Sequence, residues 1–383
     1  LPSYDADAID MLATSDLYAH DKRQFNYFLT PDTTKVNALA SLKALYSDDA
    51  NKNDWGLYEV KYPNMYIPVD KEALLKSGRI TDEELPAVAE YIDADQREEP
   101  EGGLRLSNVI ALDMLATNAA NGWKRPIYFA MTVPDSYYLN LSKYMRSTGM
   151  ANEITPFLNK DYDDYHIAVD TDRAYDNIVN KFRWGGIDKA KSADDIYLDE
   201  TIRRMVNTTR TSMIDLATAL YNEGAIVEMS LDSDSASMEA SKVAELKALA
   251  KDRYAKAQEV VDLMMEKLPL YTSPLSVPMG TQLVNVYSRL AAATGDDKNH
   301  ERAMEILTDE IDRHKQYVLY FQSLTPAQLS TLTLTDRYIY DTYFINLLQT
   351  YAELGGDLQE LMKTLQSEGV NFSRYFPGSQ TRQ

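Results

Sequence analysis

The residues best equipped for chemistry in this chain are acids. Between Asn159 and Asp172 the stretch NKDYDDYHIAVDTD gathers Asp161, Asp163, Asp164, His166, Asp170 and Asp172. Oxygen ligands at that density raise the question of calcium. An EF-hand loop needs a central glycine for its turn and a bidentate glutamate at its last position. Here there is no glycine, and Asp170 stands where the glutamate belongs. Asp170 and Asp172 read instead as the cap and first turn of a helix through Tyr175 and Ile178, with a solvated acidic loop before them. The other metal ligands are four scattered histidines, His20, His166, His300 and His314, with no HExxH pair among them. His314 falls on an apolar helical stripe and reads as a packed core residue.

Nucleophilic chemistry has no better footing. The chain has no cysteine, no GxSxG elbow, no P-loop and no GxGxxG. Its glycine doublets, Gly102-Gly103, Gly185-Gly186 and Gly355-Gly356, suit turns. The expectation is no catalytic residue, no metal and no cofactor held by this chain.

Recognition chemistry is better supplied. Twenty-seven tyrosines and three tryptophans give flat rings with polar edges, which suit sugar faces and partner proteins alike. The residues singled out as a candidate ligand or partner surface are Trp123, Lys124, Arg125, Tyr137, Tyr138, Arg173, Arg183 and Trp184. For the triplet Trp123 to Arg125 the competing reading is a landmark of the fold. It leads out of a loop after a buried helix, and Pro126 opens a strand where a missing N–H costs least. Ile127, Phe129 and Met131 then face one side, Tyr128, Ala130 and Thr132 the other.

The elements that must carry these residues change type along the chain. In the first half, residues 5–14 and 33–46 read as helices, and 56–70 as two short strands broken by Pro63-Asn64. Residues 81–92 open with a Thr cap and early acids, a helix start. Residues 104–118 are apolar around most of their circumference and should be buried on several sides. A helix from Tyr137 to Met145 follows the strand.

From about residue 200 the pattern is helical. Met213, Leu216, Ala217, Leu220 and Tyr221 lead to Gly224; Leu283, Val286, Tyr287, Leu290 and Ala291 to Gly295; Phe344, Leu347, Leu348, Tyr351 and Ala352 to Gly355. Each is an apolar stripe with a glycine exit. Each has a second amphipathic helix after it: Tyr254 to Leu268, Met304 to Phe321, and Leu358 to Leu365. Paired helices of this kind resemble tetratricopeptide repeats, with insertions, among them a Ser- and acid-rich loop over 225–242. The expected architecture is mainly α with a smaller α/β part: a mixed α+β domain over 1–200, then tetratricopeptide-like helical hairpins over 201–383.

Composition bounds the partners. With 59 acids against 39 bases the formal net charge is −20, which repels phosphate backbones and anionic headgroups, so nucleic acid is excluded. The longest uncharged run, Leu268 to Ser288, holds three prolines and would break a spanning helix, so direct membrane insertion is not expected. The chain starts at Leu1, which suggests a processed or excised piece of something larger.

Several segments together carry a family resemblance. ALDMLATNAANGWKRPIYFAMTV, SYYLNLSKYMRSTGM, DTDRAYDNIVNKFRWGG and YLDETIRRM occur in this order, and MYIPVDKEALLKSGRI precedes them. They resemble the C-terminal region of large Bacteroidetes membrane proteins regarded as similar to protein O-mannosyltransferases, polyprenol-dependent glycosyltransferases. The likeness runs roughly over residues 65 to 383. It implies a non-catalytic domain on the periplasmic face of the inner membrane, with its own transmembrane region upstream of Leu1. Such a domain would bind a protein or glycan acceptor, or brace the membrane part. The alternative is a carbohydrate-binding module using Tyr and Trp surfaces. The family's presumed catalytic carboxylates lie between transmembrane helices, so no catalytic residue is carried over.

Overall fold

A computed structural model of the protein describes residues 26–97, 103–159, 167–234 and 238–374. The helix expected at 5–14, His20, and the acidic stretch from Asp161 to His166 lie outside the described residues. The chain divides into two compact units, 1–170 and 171–383. The break precedes the change of sequence character near residue 200, so residues 171–199 go with the second unit.

The first unit carries three small sheets and short helices. Its elements are β1 (Asn26–Leu29), β2 (Val36–Asn37), α1 (Ala38–Tyr46), β3 (Glu59–Val60), β4 (Asn64–Pro68), α2 (Lys71–Lys76), β5 (Tyr91–Asp95), β6 (Gly103–Arg105), α3 (Leu106–Ala120), β7 (Tyr128–Ala130), β8 (Met145–Ser147), β9 (Ala151–Ile154) and β10 (Ala168–Val169). The sheet orders are β3-β1-β6, β2-β4-β5 and β10-β8-β9-β7. Burial alternates along the two longest strands, β4 and β5. In the β4–β5 pair, Met65 opposes Ala94 and Ile67 opposes Ile92, all fully buried, while Tyr91, Asp93 and Asp95 alternate outward. α3 buries Val109, Leu112, Leu115, Ala116 and Ala119 together with Asn108, Asp113 and Asn118, as its apolar circumference requires.

Three local expectations give way to tertiary pairing. The helix start at residue 81 is half realised: Thr81 Oγ1 accepts the Glu84 N–H at 3.3 Å and Glu84 Oε2 accepts the Thr81 N–H at 2.9 Å. The capping chemistry forms, but only a single 3₁₀ turn, Leu85–Ala87, follows it. The chain then enters β5, where ladder bonds to β4 outweigh local preference. The helix expected from Tyr137 to Met145 is two 3₁₀ turns, Asp135–Tyr137 and Ser142–Tyr144, separated by Leu139 and Asn140 in the left-handed region. The helix expected over 33–46 starts only at Ala38, after β2, with Asn37 Oδ1 accepting the Leu39 N–H at 2.9 Å.

The second unit is helical. α4 (Thr171–Tyr175) runs into a π-helical turn, Asp176–Lys181. After it come α5 (Glu200–Asp234), α6 (Ala240–Lys267), α7 (Met279–Thr294), α8 (Asp297–Ser323), α9 (Pro326–Leu329) and α10 (Leu334–Tyr338). A second π turn, Ile339–Tyr343, leads to α11 (Phe344–Glu353) and α12 (Leu358–Ser367). The hairpins are α5 with α6, α7 with α8 and α11 with α12, while α8 also packs on α11. Gly295 and Gly355 end their helices in left-handed conformation, as expected. Gly224 does not: α5 continues through it to Asp234. Much of the loop expected over 225–242 is helix instead, since α5 runs to Asp234 and α6 opens at Ala240, with Leu231 buried and Glu228 accepting the Tyr254 hydroxyl at 2.7 Å.

Candidate functional site

The triplet at Trp123 is built by the end of α3. The Gly122 N–H donates to Ala119 O at 3.0 Å and the Trp123 N–H to Asn118 O at 2.9 Å, the two bonds of a Schellman cap. Gly122 and Trp123 both take positive φ, 79° and 53°. An L-residue pays strain there, and Trp123 is held by burial at 2% exposure and by its Nε1–H, which donates to Pro68 O of β4 at 3.3 Å. The Asn118 amide grips the Arg125 backbone from both sides, with Nδ2 donating to Arg125 O at 3.0 Å and Oδ1 accepting the Arg125 N–H at 3.3 Å. Lys124 and Arg125 are exposed, and Ile127, Phe129 and Met131 sit inward of Tyr128, Ala130 and Thr132.

Tyr137 and Tyr138 are not a free aromatic face. The Arg105 guanidinium lies 4.9 Å from the Tyr137 ring centroid and donates to its hydroxyl. Tyr138 is buried, edge-on to Phe129 at 5.6 Å, and its hydroxyl accepts from Asn152 Nδ2 at 3.3 Å. Burial pushes that hydroxyl's pKa up. The left-handed pair after it is tied down twice: Gln96 Nε2 donates to Leu139 O at 2.8 Å, and Asn140 Nδ2 to Asp95 O at 2.9 Å.

In the second unit, Arg173 and Arg183 are exposed, and the half-buried Trp184 meets Phe182 edge-on at 4.8 Å. The acids that open α4 work structurally. Asp172 takes Arg253 Nη1 at 2.6 Å, Arg253 Nε reaches Glu223 at 2.9 Å, and the Thr171 hydroxyl donates to Glu223 at 2.7 Å. The Arg253 hydrogen bond holds the Asp172 carboxyl below its ordinary pKa. Tyr175 hydrogen-bonds Glu259, and burial with that carboxylate raises its hydroxyl to about 12. Among the described residues no group of three or more His, Asp or Glu is arranged to hold a metal ion.

Two buried polar centres escaped the sequence reading. Arg210 of α5 is fully buried, and its guanidinium donates to Ser273 O at 2.7 Å and Leu268 O at 2.8 Å, with longer bonds to Pro269 O and Pro274 O. Burial, and secondarily the charge of Arg313, lower its pKa to about 10. The second centre is Glu310 of α8. Its carboxylate receives Arg313 and the Tyr343 hydroxyl at 3.4 Å, while His314 Nδ1 is 2.9 Å from the Glu310 backbone carbonyl and 3.7 Å from the carboxylate. Gly280 makes room for it, since a Cβ there would stand 2.5 Å from Oε2. Burial raises the Glu310 pKa and lowers that of His314 to about 4. Glu310, His314 and Tyr343 are at most 4% exposed, so the cluster is sealed from substrate and acts as packing. One signal existed: Glu310 sits on the stripe of Leu307, Ile311 and His314, an acid where an apolar residue belongs.

With this geometry in place, the first unit can be set beside a known family. Residues 1–173 match the model of a family described as TMEM260-associated domain 2. By its description, the family that this stretch is similar to is linked to a membrane protein. The match starts at residue 1, ahead of the resemblance read from residue 65 onward, and ends at the opening of α4. No curated protein and no solved structure matches the chain. No helix among the described residues is long and apolar enough to cross a membrane.

Proposed function

We propose that this chain is a non-catalytic accessory region of a membrane glycosyltransferase-like protein, similar to protein O-mannosyltransferases. It would be displayed on the periplasmic face of the inner membrane, with the membrane-spanning part upstream of Leu1. There it engages an acceptor protein or partner along its helical hairpins, or braces the membrane part. The observation that carries this reading is the match of residues 1–173 to a membrane-protein-associated domain. The paired helices α5 to α8 add support, because stacked hairpins expose extended surfaces without needing reactive groups.

Sequencing the gene upstream of Leu1 and co-expressing its product with this chain tests the proposal. Expected are upstream apolar segments of about 20 residues, and co-purification of the chain with them from detergent-solubilised membranes. Protease added to spheroplasts should cleave this region from outside. An upstream reading frame without such segments would end the proposal.

A further inference from the structure

Trp55 is 79% exposed, yet its backbone is fixed. Asn53 Oδ1 accepts the N–H groups of Trp55 at 3.1 Å and Leu57 at 3.0 Å. The Gly56 N–H donates to Asn53 O and the Asn53 N–H to Leu57 O, both at 2.9 Å. Gly56 supplies the φ of +76° that this turn needs. A bridge between Lys52 and Tyr58 closes the base, with the Lys52 ammonium 4.5 Å over the Tyr58 ring. Phe28 of β1, 37% exposed, stands 6.3 Å from the indole at an angle of 50°. A large ring held in water by so many backbone bonds contributes little to the core, and rigidity of this kind favours ligand capture by lowering the entropy lost on binding.

We propose that the Trp55 turn is a binding site for a neutral sugar unit. The exposed apolar residues here are three, Trp55, Phe28 and Leu57, with the first two in ring contact, whereas a stable protein interface takes about 20–30 residues a side. Its border is hydrogen-bonding: Asn51, Asn53, Asp54 and Glu59, with Asn51 Nδ2 already donating to Glu59 at 2.7 Å. The acids at Asp49, Asp54 and Glu59 disfavour a phosphate or other anionic ligand. The C–H face of a sugar stacks on the indole, while the Asp54 carboxylate and the Asn53 amide N–H groups serve its hydroxyls. The site goes beyond the accessory-domain reading and stands without it, so a failed titration leaves the co-expression result untouched.

The test titrates the full chain with glucose, galactose, mannose, N-acetylglucosamine and their linear oligomers, read by tryptophan fluorescence and by calorimetry. A saturable response at millimolar sugar is expected. Trp55→Ala should weaken it at least about tenfold, a change of about 1.4 kcal/mol, and Trp55→Phe less. Tyr197→Ala, at an exposed ring to which no binding role is given, should leave the calorimetric affinity unchanged. Trp55 lies outside the core, so circular dichroism should find Trp55→Ala folded. A flat response across the panel, or saturable binding that survives in Trp55→Ala, overturns the proposal. Self-association in sedimentation that needs Trp55, together with a flat sugar titration, also overturns it and reassigns the ring to a protein contact.

Discussion

The ring of Tyr254 occupies the space that a side chain on Gly224 would need: a Cβ there would lie 2.7 Å from Tyr254 Cε1. α5 and α6 approach each other through this gap, and Tyr221 adds a ring 5.4 Å from that of Tyr254. The glycine marks a helix contact inside α5, well short of its end.

Gly224→Ala therefore sets two effects against each other. Alanine favours a helix interior by about 0.5–1 kcal/mol. Overpacking against a ring costs about 1–3 kcal/mol. The ring belongs to a residue buried at 4% exposure and hydrogen-bonded to Glu228, so it has little freedom to retreat. A net loss is expected in urea unfolding, with Gly224→Val worse. Gly185→Ala is the control: nothing lies within 4 Å of a Cβ there, and no loss is expected.

Trp123→Ala separates the landmark from the ligand site. Removing a buried indole costs about 3–5 kcal/mol, and this one also supports a strained cap and the bond to Pro68 O. Lys124→Ala, at an exposed position, should change stability by less than about 0.5 kcal/mol. Denaturant midpoints of the two variants check this. Equal, small losses would contradict the structural role of Trp123.

How much of this was legible depends on range. The stripes of α7, α8 and α11 were readable because burial on one helical face is a local property of spacing. The alternation from Ile127 to Met131 survived for the same reason. The first unit's ladders pair Asn64–Pro68 with Tyr91–Asp95, and no local pattern in 81–92 announces that partner. Its Thr81–Glu84 cap formed without a helix, which shows capping chemistry yielding to strand pairing. At the candidate sites, burial decided the outcome: Tyr138 looked like a recognition ring and is core, whereas Trp55 attracted no notice and is exposed.

Arg210→Lys probes the turn after α6. The guanidinium fork serves carbonyls at Leu268, Pro269, Ser273 and Pro274, and an ammonium has neither the reach nor the planar spread to hold them all. Each buried carbonyl left without a donor costs about 1–3 kcal/mol. The variant should lose several kcal/mol, with hydrogen exchange accelerated at the amides around Thr272 and Met279, whose N–H groups bond Pro269 O and Ser276 O. Unchanged exchange in that segment would show the clamp to be dispensable.

His314 sets a dependence on acid. Its pKa is lowered from 6.5 to about 4, mainly by burial, so the unfolded chain binds the proton more readily than the folded one. The stability linked to keeping it neutral is complete above pH 6.5 and drains away as pH falls to about 4, by about 3 kcal/mol. Glu310 has the opposite sign, because its raised pKa favours the folded state below the ordinary carboxylate range and loses that advantage as pH rises. Subtracting the profile of His314→Gln from that of the parent removes the glutamate's contribution to first order. The difference in unfolding free energy, measured with urea between pH 4 and 7, should shrink steadily toward acid. A difference that stays constant would mean that His314 titrates normally in the folded protein.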